Sequence, residues 1–234
     1  MDLASLYRAY RDGHASTVRT GLSALLLGAI FTMVVIVLLT PTMDGLIGLP
    51  GHELSEPEET TPAPPRAATP YIPKAERRAM RRRAVLAATQ EVGVREWPSR
   101  ANHANRIITY RRAVTGPNEN PRVAEPWCAD FVSWVWRKAG FEIGFNGQGA
   151  DYVPELVAWA RLTRRWHWAR DGYKPKAGDL IVYRSNGDMR GHIGMVAKIS
   201  PGRVHTIEGN YADQVSRRTV KPWDANVTGF ISPV

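Results

Sequence analysis

The segment from Glu125 to Gly140 reads EPWCADFVSWVWRKAG and contains the only cysteine among 234 residues. Its apolar side chains recur at helical spacing, a proline precedes them and a glycine follows them. Proline suits the first helical position because its missing N–H would have no partner there, and glycine commonly follows the last turn. The pattern predicts a helix that begins at Pro126, carries Cys128 in its first turn and ends at Gly140.

The position of Cys128 admits two interpretations. The first turn of a helix has unpaired N–H groups and the positive end of the helix dipole, which favour the anionic thiolate, the nucleophilic form. A free cysteine is, however, more often a small buried hydrophobic residue. Position alone slightly favours the structural interpretation, so a catalytic role requires partner residues elsewhere in the chain.

Candidate partners lie in a predicted β-hairpin, residues 192–210, in which HIGMVAKI and VHTIEGN flank the turn Pro201–Gly202. His192 opens the first strand, with glycines close by, and is a candidate base for the thiol. Glu208 and Asn210 are two residues apart on the second strand and therefore share a face. Either side chain would be suited to orient the imidazole, which is a papain-like arrangement.

The register of this hairpin decides whether His192 and Glu208 can meet. A regular two-residue loop would pair Ser200 with Arg203 and would turn Glu208 to the face opposite His192. An odd-length loop or a β-bulge would bring the two side chains to one face. We therefore expect one of these two features near the turn.

The remaining C-terminal sequence predicts helices followed by strands. A helix is expected from Lys74, with Gly93 as its end, and a second in VPELVAWARL, residues 153–162. The segments GDLIVYR and VTGFISPV predict further strands, and residues 95–125 are expected to be irregular. Helices before an antiparallel sheet indicate an α+β fold. The arginine cluster of the first helix is interpreted as a solvated face.

Residues 20–43 contain no charged side chain and include the apolar run GLSALLLGAIFTMVVIVLLT. This run is long enough to cross the ~30 Å of hydrocarbon in a bilayer as a helix. A buried core helix and a cleaved signal peptide are the alternatives, but a signal usually has an apolar region of only ~7–15 residues before a small-residue cleavage site. Arginines precede the run and carboxylates follow it, which predicts a cytoplasmic N-terminus.

The expected organisation is a cytoplasmic segment 1–19, a transmembrane helix 20–43, a proline-rich extracytoplasmic linker 44–75 and a folded domain 76–234. Residues 1–75 carry 5 Lys and Arg against 7 Asp and Glu, a net charge of −2, whereas residues 76–234 carry 26 against 15, a net charge of +11. The basic domain suits a polyanionic partner such as a cell-wall polymer. Nucleic acid is not expected as a partner, because no recognised binding motif is present and the domain is predicted outside the cytoplasm.

Four stretches, EPWCADFVSWVWRKAG, KAGDLIVYR, GHIGMV and HTIEGN, together resemble the CHAP family, the cysteine- and histidine-dependent amidohydrolases and peptidases, which is similar to the NlpC/P60 and papain-like group. The resemblance covers about residues 80–234. It implies a papain-like α+β fold with helices packed on an antiparallel sheet, and hydrolysis of amide bonds, most often in bacterial peptidoglycan. It also implies Cys128 as nucleophile, His192 as general base, Glu208 as orienting residue and Asn210 as a fourth polar member.

Some members of that family carry an Asp-rich calcium loop. This sequence has no Asp-x-Asp cluster, and its single cysteine leaves no second thiol for a zinc site or an internal disulfide. We therefore expect neither a metal nor another cofactor.

Two functions from different classes remain open. The first is a membrane-anchored cell-wall hydrolase, either an amidase or an endopeptidase. The second is a catalytically silent wall-binding module in an envelope-spanning secretion or conjugation complex. A structure with Cys128 Sγ far from His192 would favour the second.

Overall fold

The computed structural model describes residues 71–116, 119–184 and 191–234. The predicted transmembrane segment 20–43 and most of the predicted linker lie outside these residues. No helix among the described residues has both the length and the apolar character needed to cross a membrane. Residues Tyr71–Val234 form one compact unit, and the elements below belong to it.

Four α-helices precede the main strands of this unit: α1 (Lys74–Gln90), α2 (Asn105–Arg111), α3 (Cys128–Lys138) and α4 (Val153–Leu162). The sequence predicted α1, α3 and α4. It did not predict α2, which is only seven residues long and lies in the segment expected to be irregular. Isolated helices of this length are unstable, and α2 is held by the burial of Ile107 and Tyr110 in the core.

Helix α3 begins two residues later than predicted. Trp127, and not a residue before Pro126, is the N-cap, because its dihedral angles (φ −117°, ψ 20°) are not helical. Cys128 is therefore the first residue of the helix and lies in the first turn, as predicted. At the other end Gly140 has φ +86°, a left-handed conformation that glycine adopts without strain.

Six strands form one antiparallel sheet: β1 (Trp166–Trp168), β2 (Leu180–Tyr183), β3 (His192–Ser200), β4 (Arg203–Glu208), β5 (Ser216–Val220) and β6 (Val227–Ile231). Their order across the sheet is β1-β6-β2-β3-β4-β5. The four inner strands were predicted. The edge strands β1 and β5 were not, because one has three residues and the other, SRRTV, has the polar composition with which edge strands resist further pairing.

The alternation of side chains along the strands gives the sheet two different faces. Leu180, Ile193 and Met195 face the main core with α1, α2 and α3. Ile181 and Val196 face a smaller apolar cluster on the other side. His192 and Gly194 have the same parity along β3 as Val196 and therefore belong to this second face.

Helix α3 is the central helix of the core. All its residues from Cys128 to Trp136 are buried, and it packs against α1, α2 and β3. Burying an aromatic side chain such as Phe131 stabilises the fold by roughly 1.5–3 kcal/mol. The burial of α3 fixes the position of its first residue relative to the sheet.

The sequence predicted that the whole arginine cluster of α1 is a solvated face. In the structure this is true of only part of the cluster. Arg78 and Arg82 are exposed. Arg81 instead forms an ion pair of 2.6 Å with the fully buried Asp179, just before β2, and donates to the carbonyl oxygen of Val234 at 2.8 Å. Arg81 thereby links α1 to the sheet.

Candidate active site

The thiol of Cys128 lies at the beginning of α3 and is buried, with 6% of the residue exposed. The first N–H groups of any α-helix have no partner inside the helix. The backbone N–H of Cys128 therefore belongs to a set of donors that favours a negative charge at this place. The structure keeps both properties that the sequence suggested, a helix N-terminus and burial.

His192 is the first residue of β3 and lies beside Cys128. It follows Gly191, which has φ +64°, so the chain turns sharply as it enters the strand. The imidazole interacts with the side chain of Cys128, and its Nε2 lies 2.9 Å from Oε2 of Glu208. Because Nε2 is hydrogen bonded to Glu208, the other ring nitrogen, Nδ1, is the one available to interact with the thiol.

A β-bulge brings Glu208 to the face of His192, which confirms the expectation drawn from the hairpin. Ser200 pairs with Arg203 across the two-residue turn, and the register then shifts between Val196 and Lys198. Ala197 is the extra residue. Beyond it Met195 pairs with Ile207, which brings Gly194 opposite Glu208.

Gly194 makes room for the side chain of Glu208. A Cβ atom at this glycine would lie 2.5 Å from Cγ of Glu208. Real Cβ atoms do not approach another carbon so closely, so any larger residue would displace the carboxylate. The glycine therefore allows Glu208 to reach across β3 toward His192 and Tyr183.

The carboxylate of Glu208 is fully buried and accepts four hydrogen bonds. Tyr183 Oη donates to Oε1 at 2.5 Å, and Thr206 Oγ1 donates to the same oxygen at 2.6 Å. His192 Nε2 and Arg218 Nη1 each lie 2.9 Å from Oε2. These four donors leave the carboxylate a single orientation.

The hydrogen bonds also set the charges of the pair. Burial by itself raises the pKa of Glu208, but hydrogen bonds from His192, Thr206 and Tyr183 outweigh it and lower the pKa to about 2. Burial by itself lowers the pKa of His192, but the interactions with Cys128 and Glu208 raise it to about 9. At neutral pH the site therefore holds a carboxylate and an imidazolium.

Burial raises the pKa of the Tyr183 hydroxyl, and the adjacent carboxylate of Glu208 raises it further. The phenol therefore remains protonated and acts as a donor. The sequence analysis did not identify Tyr183, Thr206 or Arg218 as part of the site. Thr206 carried a weak signal, since it shares a strand face with Glu208, whereas Tyr183 and Arg218 reach the carboxylate from other strands.

Asn210 does not take the place beside the imidazole that the sequence had left open for it. Strand β4 ends at Glu208, and Asn210 has φ 58° in the turn that follows. With its amide oxygen turned toward α3, it accepts from the N–H of Trp127 and donates to Oε1 of Glu96, both at 3.1 Å. The opposite amide orientation gives a 3.4 Å contact with Oδ1 of Asn102 instead.

Asn210 thus contacts the residue before the cysteine. Glu96, its partner in that arrangement, also accepts a hydrogen bond of 2.8 Å from the indole N–H of Trp127. A catalytic contribution of Asn210 stays a prediction, and its contacts suggest that it would act on the beginning of α3.

Among residues 71–116, 119–184 and 191–234, no group of three or more His, Cys, Asp or Glu side chains is arranged to hold a metal ion. The chemistry available at this site is that of a thiol beside an imidazole that is hydrogen bonded to a carboxylate.

Three comparisons relate the chain to known proteins. Residues 119–210 match the family model of the CHAP domain. No curated protein matches the chain significantly.

Among solved structures, a mutant of the Resuscitation Promoting Factor Interacting protein RipA is 15% identical, with a TM-score of 0.41 over 70% of this chain and 67% of that one. The peptidoglycan hydrolase RipB from Mycobacterium tuberculosis is 19% identical, with a TM-score of 0.41 over 68% of this chain and 67% of that one. Ly7917 is 16% identical, with a TM-score of 0.40 over 65% of this chain and 62% of that one.

The segment that matches the family model includes Cys128, His192 and Glu208, and His192 interacts with both of the other side chains. The resemblance to the CHAP family that the sequence motifs indicated is confirmed by this match over residues 119–210.

Proposed function

We propose that this protein is a membrane-anchored peptidoglycan hydrolase that cleaves amide bonds with Cys128 as the nucleophile. His192 acts as general acid and base, and Glu208 orients the imidazole. The observation that carries the proposal is that His192 interacts with Cys128 and is hydrogen bonded to Glu208, with Nε2 and Oε2 2.9 Å apart. The CHAP match over residues 119–210 supports the same class of reaction.

In the first half of the reaction, the thiolate of Cys128 attacks the carbonyl carbon of an amide, and a carbon–sulfur bond forms. The negative charge moves to the carbonyl oxygen, where the backbone N–H of Cys128 at the beginning of α3 is a suitable donor. The imidazolium of His192 then gives its proton to the amide nitrogen. The carbon–nitrogen bond breaks, the amine leaves, and a thioester remains on Cys128.

In the second half, the neutral imidazole of His192 takes a proton from water, and the hydroxide formed attacks the thioester carbon. The carbon–sulfur bond breaks, which releases a carboxylic acid and restores the thiolate beside the imidazolium. Glu208 remains ionised throughout, because its pKa of about 2 lies far below neutral pH. The same residues would serve an amidase or an endopeptidase, because both reactions cleave an amide bond.

The alternative, a silent wall-binding module, has no specific support in this geometry. It would suit a structure in which the thiol and the imidazole lie apart, and here the two side chains interact. The membrane anchor is part of the proposal on sequence grounds, namely the uncharged run 20–43 with arginines before it and carboxylates after it. The partners proposed are thus peptidoglycan or an attached anionic polymer, and the membrane.

The test is digestion of purified peptidoglycan by the full-length protein in non-ionic detergent, with the products identified by mass spectrometry. Cys128→Ala and His192→Ala should each abolish the release of soluble fragments, because thiolate and imidazolium act as one unit. Glu208→Gln should lose less activity than either of these variants, because the orienting group forms no bond to the substrate.

Circular dichroism establishes that each variant is folded. Wild-type activity in a folded Cys128→Ala protein would contradict the cysteine mechanism. A folded wild-type protein that binds peptidoglycan without releasing fragments would favour the silent module instead.

A further inference from the structure

Arg218 reaches the buried carboxylate of Glu208 from the edge of the sheet. It lies on β5, pairs with Thr206 of β4, and shares the face of that residue and of Glu208. Its Nη1 lies 2.9 Å from Oε2 of Glu208, the same oxygen that His192 uses. The guanidinium and the imidazolium therefore share one oxygen atom.

Arg218 also packs against two aromatic rings beside the site. Its guanidinium carbon lies 4.1 Å from the ring centre of Tyr211 and 5.3 Å from that of Tyr183. Tyr211 lies in turn 6.2 Å from the ring of His192. The arginine side chain is 28% exposed, whereas Glu208 beneath it is not exposed at all.

We propose that Arg218 is a positioning residue of this site: it holds Oε2 of Glu208 in place and, through that carboxylate, controls the orientation and charge of His192. The inference rests on the proposed cysteine mechanism for its catalytic meaning, but the electrostatic part concerns only the geometry of the side chains. Nothing in the CHAP match or in the sequence motifs assigns a role to this arginine.

The charged and titratable groups around His192 come from every element packed against it: Cys128 on α3, Tyr183 on β2, Glu208 on β4, Tyr211 in the turn after β4, and Arg218 on β5. Glu208 and the thiolate stabilise the imidazolium. Arg218 opposes it, since its positive charge lies one oxygen atom away. Removal of this charge should therefore make the imidazolium harder to deprotonate.

The single cysteine of the chain offers a direct measurement. The rate at which iodoacetamide alkylates Cys128 depends on the thiolate and on the charge of its imidazole partner, so its pH profile has an upper inflection where His192 loses its proton. Arg218→Gln should move this inflection to higher pH by roughly half a unit to one unit, at fixed ionic strength. Fragment release from peptidoglycan should fall on the order of tenfold.

Arg217→Gln is the matched control. It removes the same charge one residue away, but Arg217 pairs with Ile207 and lies on the opposite face of β5. Its inflection and its fragment release should equal those of the wild type. Equal inflections in Arg218→Gln and Arg217→Gln would overturn the proposal.

Arg218→Lys keeps the positive charge but replaces the planar guanidinium by a single ammonium group. It should retain the wild-type inflection and release fragments more slowly than the wild type. A displaced inflection in the folded lysine variant would contradict the proposed role of the positive charge. If Arg218→Gln does not fold, the lysine variant provides the test of the proposal. If even the wild type released no fragments, the hydrolase proposal would fail while the alkylation profiles still tested Arg218.

Discussion

At the scale of single residues, Glu208 shows how a buried charge is retained. A carboxylate taken out of water without partners is unstable and tends to become protonated. Here four donors surround it and Gly194 gives it space. The site therefore depends on the absence of a side chain at Gly194 as much as on the four donors.

Gly194→Ala tests this dependence. The new methyl group would overlap Cγ of Glu208, so we expect the carboxylate to leave His192 and fragment release to fall to about the level of Glu208→Ala. In a Glu208→Ala background the obstructing Cγ is gone, so the second substitution should add little further loss. The measurement is fragment release by the two single variants and the double variant. Losses that multiply in the double variant would show that the two positions act independently.

The charges of His192 and Glu208 make the stability of the site depend on pH. The pKa of Glu208 is lowered from 4.5 to about 2 in the folded protein, so its contribution is fully present above pH 4.5 and is lost as the pH falls through 2. The pKa of His192 is raised from 6.5 to about 9, so its contribution is fully present below pH 6.5 and is lost as the pH rises through 9.

The difference in the free energy of unfolding between the wild type and His192→Ala should therefore be largest between pH 4.5 and 6.5. Urea unfolding at a series of pH values measures it. His205→Ala is the control, because His205 lies on the same hairpin and bonds to Ser200 and Thr219 instead of Glu208. A difference that increases above pH 9 would contradict the assigned charges.

The residues of the site differ in how far the sequence reveals them. Cys128 and His192 were predicted from their positions at the beginning of a helix and of a strand taken together with the family resemblance. Glu208 was predicted from its place on the partner strand and from the family resemblance, and its meeting with His192 required an extra residue in the hairpin. Arg218 could not be predicted, because its contact with Glu208 exists only once β4 and β5 are paired, and its strand has no hydrophobic alternation.

At the scale of elements, the predicted ones are those whose apolar pattern is strong. Helices α1, α3 and α4 and the inner strands bury one face or both, so their sequences carry the period of the structure. The unpredicted elements, α2, β1 and β5, are short or lie at an edge. Their conformation is determined by what they pack against, which the local sequence does not contain.

The ion pair between Arg81 and Asp179 is expected to hold α1 against the sheet. Removal of one partner of a buried pair leaves the other charge unpaired, so Arg81→Ala should lower the free energy of unfolding by about 3–5 kcal/mol. Arg82→Ala removes the same charge from the exposed next residue and should change it by less than about 0.5 kcal/mol. Urea unfolding of both variants measures the two changes in the free energy of unfolding. Equal changes would show that the ion pair between Arg81 and Asp179 does not contribute specifically to stability.

At the scale of the whole molecule, the chain divides its charge between two parts. The basic residues 76–234 would be attracted to an anionic wall, and exposed charges of this kind are screened beyond ~8–10 Å near physiological ionic strength. The topology predicted from residues 1–59 would place this basic part on the side of the membrane where such a wall lies. The two sequence features therefore support one localisation.

Protease added to intact spheroplasts tests this topology. Residues 44–234 should be digested while a tag at the N-terminus stays protected, because the arginines at Arg8, Arg11 and Arg19 favour the cytoplasmic side. A cytoplasmic marker protein that survives the digestion shows that the membrane is intact. Protection of the C-terminal part together with loss of the tag would reverse the predicted orientation.

The bulge at Ala197 has a consequence for insertions and deletions in this hairpin. His192 and Glu208 are separated by 16 positions, one more than a regular ladder with a two-residue turn needs to bring Glu208 opposite Gly194. The sheet has absorbed the additional residue by bulging, which usually bends and twists the strand. Deletion of Ala197 would leave a regular ladder with the same partners on both strands. When the sequences of hairpins of this kind are aligned, a one-residue gap should therefore be placed within β3. The turn and the contact between His192 and Glu208 above Gly194 would be the same with or without the extra residue.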